Sequence, residues 1–168
     1  MRIRDAKPTD APRLAEIHLR GWQFTYKNIL PNAYLSKLTI EDYTAKWHGW
    51  LRTTDPNTFH LVAEMDGYNV VGFVSGCPER TAVSRQWAEL SAIYVLTEYK
   101  HKGIGTALFR MAVERFKKQG YKGMISWMLA ENPARAFYTK LDGTQKGAKI
   151  EPFGGTMKEL VAFEWTFE

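Results

Sequence analysis

The sequence predicts an α/β fold: a mixed, largely antiparallel central sheet of about seven strands with helices on both faces, in the order β-α-α-β-β-β-α-β-α-β-β. Three observations predict it. Two apolar-rich segments of period two, 58–65 and 69–77, flank Asp66-Gly67, a dipeptide that favours a tight hairpin and so an antiparallel pair. A strand over 87–96, a helix over 104–118 and a strand over 123–129 read as a helical crossover. The chain then closes with two strands, 144–150 and 158–167, turning at Gly154-Gly155.

The remaining elements follow in order. Residues 2–6 alternate apolar and polar, as a short edge strand does. Thr9 or Asp10 caps a helix that tolerates Pro12 in its first turn, with Leu14, Ile17, Gly21 and Trp22 on its buried stripe. Pro31 interrupts, and a second helical pair covers 32–53. In the helix over 104–118, Ile104, Leu108, Met111 and Ala112 mark the buried face, Lys117 and Lys118 suit the C-terminal dipole, and Gly120 ends it. Asn132 caps a helix opened by Pro133, with Phe137, Tyr138 and Leu141 inward.

Composition bounds the function. A chain of 168 residues fits one domain, 1–168, and its 45% hydrophobic and 24% charged content excludes wholesale disorder. The net charge of +5 is mild and suits an anionic ligand. A lone cysteine, Cys77, forms no internal disulfide and points to a reducing, cytoplasmic setting. Met1-Arg2-Ile3-Arg4-Asp5 opens without the apolar stretch of a secretory leader, and no apolar run approaches the roughly 20 residues of a membrane helix, so no membrane partner is expected. His18, His48, His60 and His101 are scattered without ligand spacing, and no metal is expected.

The most informative segment is Val95-Leu96-Thr97-Glu98-Tyr99-Lys100-His101-Lys102-Gly103-Ile104-Gly105-Thr106, which joins a strand directly to a helix. A helix start offers unpartnered N–H groups and a positive dipole, Gly103 and Gly105 let a bulky phosphate approach the backbone, and Lys100 and Lys102 add charge. A turn that merely needs glycine would look the same. Neither a P-loop nor a dinucleotide fingerprint is present.

The loop resembles the central motif of the GNAT superfamily of acyl-CoA N-acyltransferases, Arg/Gln-x-x-Gly-x-Gly/Ala after the fourth strand. Here it reads Lys100-His101-Lys102-Gly103-Ile104-Gly105, with Lys100 in place of the usual Arg or Gln. Asn132-Pro133-Ala134-Arg135-Ala136-Phe137-Tyr138-Thr139-Lys140-Leu141-Asp142-Gly143 is similar to the family's second motif, with Asp142 where glycine is usual. The segments from Trp22 to Pro31 and from Gly154 to Trp165 are similar to one bacterial branch, so the resemblance spans nearly the whole chain.

The resemblance implies an N-acetyltransferase that moves an acetyl group from acetyl-CoA to a primary amine by direct attack in a ternary complex. It places the pyrophosphate on Lys100, His101, Lys102, Gly103, Ile104, Gly105 and Thr106. The pantetheine arm would lie against Ile93, Tyr94 and Val95, where the fourth and fifth strands part, with a Val95 N–H aimed at the thioester carbonyl. Asn132 would reach the same arm. Arg135 is either a phosphate contact or a solvated helix residue. Tyr138, whose phenol has an ordinary pKa of about 10, is the implied acid for the departing thiolate, although its position also suits an inward core aromatic. Glu89 is the implied base, acting directly or through water, unless water and backbone carbonyls serve instead. Trp22, Phe24 and Tyr26 are candidate walls for the acceptor, a small-molecule or peptide amine. A Cys77 nucleophile is not favoured, because no histidine adjoins it in sequence.

Two other functional classes compete. The same fold could hold acyl-CoA without turnover. A nucleic-acid binder would show a basic face with interleaved aromatics, whereas Lys146 and Lys149 sit among Glu151, Glu159, Glu164 and Glu168. A homodimer through the C-terminal strands is common in the family and stays open here.

Overall fold

The computed structural model describes residues 1–67, 69–80 and 86–168. Its strands are β1 (Arg2–Asp5), β2 (Phe59–Met65), β3 (Asn69–Pro78), β4 (Trp87–Val95), β5 (Gly123–Leu129), β6 (Thr144–Phe153) and β7 (Thr156–Thr166). Its helices are α1 (Ala11–Tyr26), α2 (Asn32–Leu35), α3 (Ile40–Trp50), α4 (Ile104–Lys118) and α5 (Arg135–Lys140). One seven-stranded sheet runs in the order β1-β2-β3-β4-β5-β7-β6. Every pairing is antiparallel except β4 with β5, which is the crossover through α4. The mixed, largely antiparallel sheet expected from the sequence is the one found.

The sheet buries both faces. On one, Leu108, Ala112 and Phe116 of α4 and Tyr138 of α5 pack on Leu90, Met124 and Phe163. On the other, Leu14 and Ile17 of α1 and Trp47 of α3 pack on Val62 and Phe73. Each fully buried side chain of this size contributes roughly 1.5–3 kcal/mol. Local chemistry sets several ends. Thr39 accepts from the Asp42 N–H at 3.2 Å and starts α3. Gly154 and Gly155 have φ of 56° and 81°, which lets β6 turn into β7.

Four local expectations are corrected. Asp10 precedes α1, but its carboxylate turns backward, accepting from the Lys7 N–H at 2.7 Å and from Arg4. Arg4 also holds Glu64, so this arginine ties β1 to β2 and to the turn at Asp10, which makes no side-chain cap on the helix. Met111 is 42% exposed; Phe109 takes the buried place instead, because the stripe runs through Ile104, Leu108, Ala112 and Phe116. The helix expected from Pro133 begins at Arg135, since Asn132 and its neighbours form a tight turn first. Both C-terminal strands run longer than their apolar cores, to 144–153 and 156–166.

Gly21 lies mid-helix in α1, where glycine costs up to about 1 kcal/mol relative to alanine. The structure gives the reason: a Cβ there would overlap the ring of Tyr94 on β4. Gly21→Ala is expected to destabilise by about 1–3 kcal/mol despite its better helix propensity, as overpacking does, read as a lower urea midpoint at unchanged slope.

Candidate active site

The site is built where β4 and β5 part. The two strands pair in parallel over only Trp87↔Gly123, Ala88↔Met124 and Glu89↔Ile125. At the point of parting, Ser126 Oγ donates to the Leu90 carbonyl at 2.9 Å. Ser91 is the extra residue of a bulge, since Ser75 faces Ala92 while Gly76 faces Leu90. Beyond it, β4 keeps only β3 as a partner. The Leu96 N–H donates to the Val71 carbonyl at 2.9 Å on that side. Backbone groups alternate along an antiparallel strand, so the N–H and C=O of Ile93 and Val95 face the open side, into the fork.

The loop at the mouth of the fork descends from a single turn at Thr97–Tyr99. His101 (φ 60°) and Gly103 (φ 78°) are both left-handed, and a Cβ on Gly103 would meet nothing within 4 Å. This geometry delivers the chain into α4 with the N–H groups of Ile104, Gly105 and Thr106 lacking partners within the helix. Around them lie Lys102, whose Nζ is 5.1 Å from the Tyr99 ring centre, and Lys100, whose Nζ is 4.3 Å from that of Phe24. Burial lowers the Lys100 pKa. A Cβ on Gly105 would lie 3.5 Å from Phe137 and 4.0 Å from Val95, so any larger side chain grows into the gap between loop, α5 and fork.

Tyr138 projects from α5 to the apex of that fork and is 5% exposed. Its hydroxyl shares a hydrogen bond with Ser126, and burial pushes its pKa up to about 12. Asn132 accepts from the Ala134 N–H at 2.8 Å and donates to the Tyr26 hydroxyl at 3.2 Å. Tyr26 in turn bonds Tyr94. The α1 helix, the end of β4 and the turn before α5 are thereby joined. The Arg135 guanidinium reaches the Ala130 carbonyl at 3.1 Å and Gln145 at 2.8 Å, so it braces the turn against β6 and is not presented to the α4 loop.

A cavity of about 440 Å³ opens between α1, α3 and the fork. Trp22 and Tyr26 line it, joined by Trp47, Trp50, Tyr94 and Trp127, over a floor that includes Ser75, Ser91 and Ala92. Phe24 lies outside it, 60% exposed, because it sits on the opposite side of α1 beneath Lys100. His18 also lines the cavity. It is ringed by Tyr43, Phe73 and Tyr94, and burial brings its pKa down to about 4, so it is neutral. Cys77 is a lining residue whose thiol burial pushes up to about 11, helped by Glu89, which leaves it inert near neutral pH.

Glu89 is placed beneath Arg80 and off the cavity wall. It is 4% exposed, and both carboxylate oxygens are held by Arg80, one at 3.0 Å from Nε and the other closer still to Nη2. Arg80, not Glu89, lines the cavity. A carboxylate gripped at both oxygens is a counterion rather than a free base. Ser126, Trp127 and Arg80 were missed from sequence. Ser126 alone left a trace there, as the one polar side chain in the apolar run Gly123-Met124-Ile125-Ser126-Trp127-Met128-Leu129.

A model of the acetyltransferase (GNAT) family matches residues 19–143. An uncharacterized N-acetyltransferase of Bacillus subtilis is 32% identical over 136 residues, spanning 81% of this chain and 76% of that protein. A spermidine N(1)-acetyltransferase of Thermoplasma acidophilum is 25% identical over 157 residues, 92% of this chain and 91% of that one. Among solved structures, an N-acetyltransferase of Thermoplasma acidophilum in complex with coenzyme A superposes with a TM-score of 0.76 at 25% identity, covering 99% of this chain and 98% of the other. A ribosomal-protein-alanine N-acetyltransferase of Brucella melitensis, at 23% identity and a TM-score of 0.77, shares the fold.

Proposed function

The chain belongs to the acetyltransferase (GNAT) family, and from that premise we propose that it passes the acetyl group of acetyl-CoA directly to a primary amine held in the aromatic cavity, both substrates being bound at once. The observation that carries this reading is the fork: its open backbone edge lies between a helix N-terminus on one side and an amine-sized cavity on the other, with Tyr138 at its apex.

The residues fit an extended, phosphate-bearing thioester. The unpartnered N–H groups of Ile104, Gly105 and Thr106, with Lys100 and Lys102 nearby, suit the pyrophosphate. The inward backbone of Ile93 and Val95 suits the pantetheine arm, pairing with it as with another strand. The Val95 N–H meets charge as it builds on the carbonyl oxygen; such a donor is worth about 3 kcal/mol of barrier. When bound, the thioester supplies the activated acyl group. The amine nitrogen attacks the acyl carbon, the carbon–sulfur bond breaks, and Tyr138 hydrogen-bonds the sulfur as it gains charge. Ser126 positions that hydroxyl, being anchored on the Leu90 carbonyl. Asn132 and Tyr26 fix the far wall.

The amine enters neutral, and once its nitrogen has attacked, that nitrogen must shed a proton as the amide forms and the thiolate leaves. Glu89 is tied to Arg80, and His18 is too weakly basic. The proton therefore goes to water, and Glu89 keeps Arg80 at the cavity rim.

Gly105→Val is expected to fold normally yet lose acetyl-CoA binding by calorimetry; wild-type affinity in the folded variant would remove the loop from the site. Tyr138→Phe and Ser126→Ala are each expected to retain acetyl-CoA affinity and lower kcat, by about 10–100-fold for the first and less for the second, within the range of one acid–base group. Unchanged kcat in Tyr138→Phe would exclude it from the chemistry. With an alkylamine acceptor, kcat/KM is expected to rise about tenfold per pH unit up to the amine's own pKa near 10, with no fall from Tyr138, since its raised pKa keeps it protonated. A plateau reached above about pH 6 would instead reveal a carboxylate base and restore Glu89.

A further inference from the structure

The cavity walls carry information about the acceptor that the family does not. Among the described residues lining it there is no aspartate and no glutamate, and the one ionised side chain is the cation Arg80. The two lining histidines add no negative charge and little positive: burial depresses the pKa of both His18 and His60. Just outside, the Lys149 ammonium sits 4.4 Å from the centre of the Trp127 ring and 2.7 Å from Glu151, so an ion pair of the protein already occupies one aromatic face of the wall and uses the carboxylate there. The rest of the surface is mainly indole, phenol and aliphatic, with Trp22, Trp47, Trp50 and Trp127 beside Met128 and Leu160, and its remaining polar groups are neutral hydroxyls such as Ser75 and Ser91.

Resting on the transferase reading of this same cavity, we propose that its acceptor is a primary monoamine with an aromatic or apolar body, and not a polyamine. The reacting nitrogen of any acceptor enters as the neutral amine and needs no counterion. A polyamine would bring further ammonium groups that remain charged, and each would exchange water for a wall that offers no free carboxylate, the nearby Glu89 being already paired with Arg80. An unpaired charge in such a place is strongly disfavoured. An aromatic body, by contrast, trades water for ring contacts on several sides, and about 440 Å³ is the size of a small-ligand site.

The test uses the full chain with acetyl-CoA and two amines, phenethylamine and spermidine, following thiol release. In parallel, the CoA-saturated protein is titrated with each amine by tryptophan fluorescence, since four tryptophans line the cavity. The expected result is a kcat/KM at least about tenfold higher for phenethylamine, with saturable quenching by phenethylamine alone. Ser91→Glu, which sets a carboxylate on an exposed floor position, is expected to narrow that ratio by raising the spermidine value. Equal or better turnover of spermidine overturns the acceptor class and leaves the transferase reading standing. Saturable phenethylamine binding without thiol release supports the acceptor class and overturns the transferase reading. Acetyl-CoA binding with neither amine bound nor acetylated overturns the acceptor class.

Discussion

The three-residue parallel contact between β4 and β5 is the constraint on which the site depends. Continued pairing would close the sheet and satisfy the backbone of Ile93 and Val95 internally. Instead Ser126 reaches across at the last point of contact, its hydroxyl taking the Leu90 carbonyl in place of a backbone N–H. The bulge at Ser91 turns β4 further, and β5 continues with β7 as its partner. Peptide groups left on the open edge need a polar partner, because an unsatisfied one, once buried, costs about 1–3 kcal/mol. The fold thus creates a slot that favours an extended, amide-bearing chain.

Everything chemical is hung from that slot. β4 leads straight into the α4 loop, so the unpartnered N–H groups at the start of α4 lie at the mouth of the fork by covalent connection alone. α5 follows β5 by a short turn, which delivers Tyr138 to the apex on the other side. The Tyr94–Tyr26–Asn132 chain of hydrogen bonds then ties the helix that walls the cavity to both strands. Gly21 belongs to the same arrangement, since α1 could not lie so close to Tyr94 with a side chain there. The two ends of the fork are thereby set by one frame and differ sharply in character: open N–H groups and lysines at one, aromatic rings at the other.

What was legible in the sequence was local. The hairpin at Asp66-Gly67, the loop from Lys100 to Gly105 and the crossover around it declare themselves through period and turn chemistry, and the sheet followed from them. Features that depend on distant partners were not legible. Glu89 reads as a free carboxylate until Arg80, nine positions earlier, is seen to grip it. Trp22, Phe24 and Tyr26 are near neighbours in sequence, yet only two face the cavity, because the helix turns 100° per residue and its axis is set by packing on the sheet. Ser126 stood out as polar among apolar neighbours, but its meaning requires knowing that β4 and β5 separate beside it.

The two departures from the family's motifs become intelligible in the same terms. Asp142 has φ 62°, a left-handed position just past α5 where glycine is easiest and aspartate among the more tolerated alternatives, so what the position requires is a backbone turn and not a missing side chain. Lys100 exchanges the planar fork of arginine for a point charge, and it holds that charge over the Phe24 ring beside a loop whose binding groups are main-chain N–H. Both motifs therefore work through backbone geometry first. A side chain may change at either position so long as the chain still enters α4 through Gly103 and still leaves α5 by a left-handed residue, which is why a divergent sequence can keep an intact site.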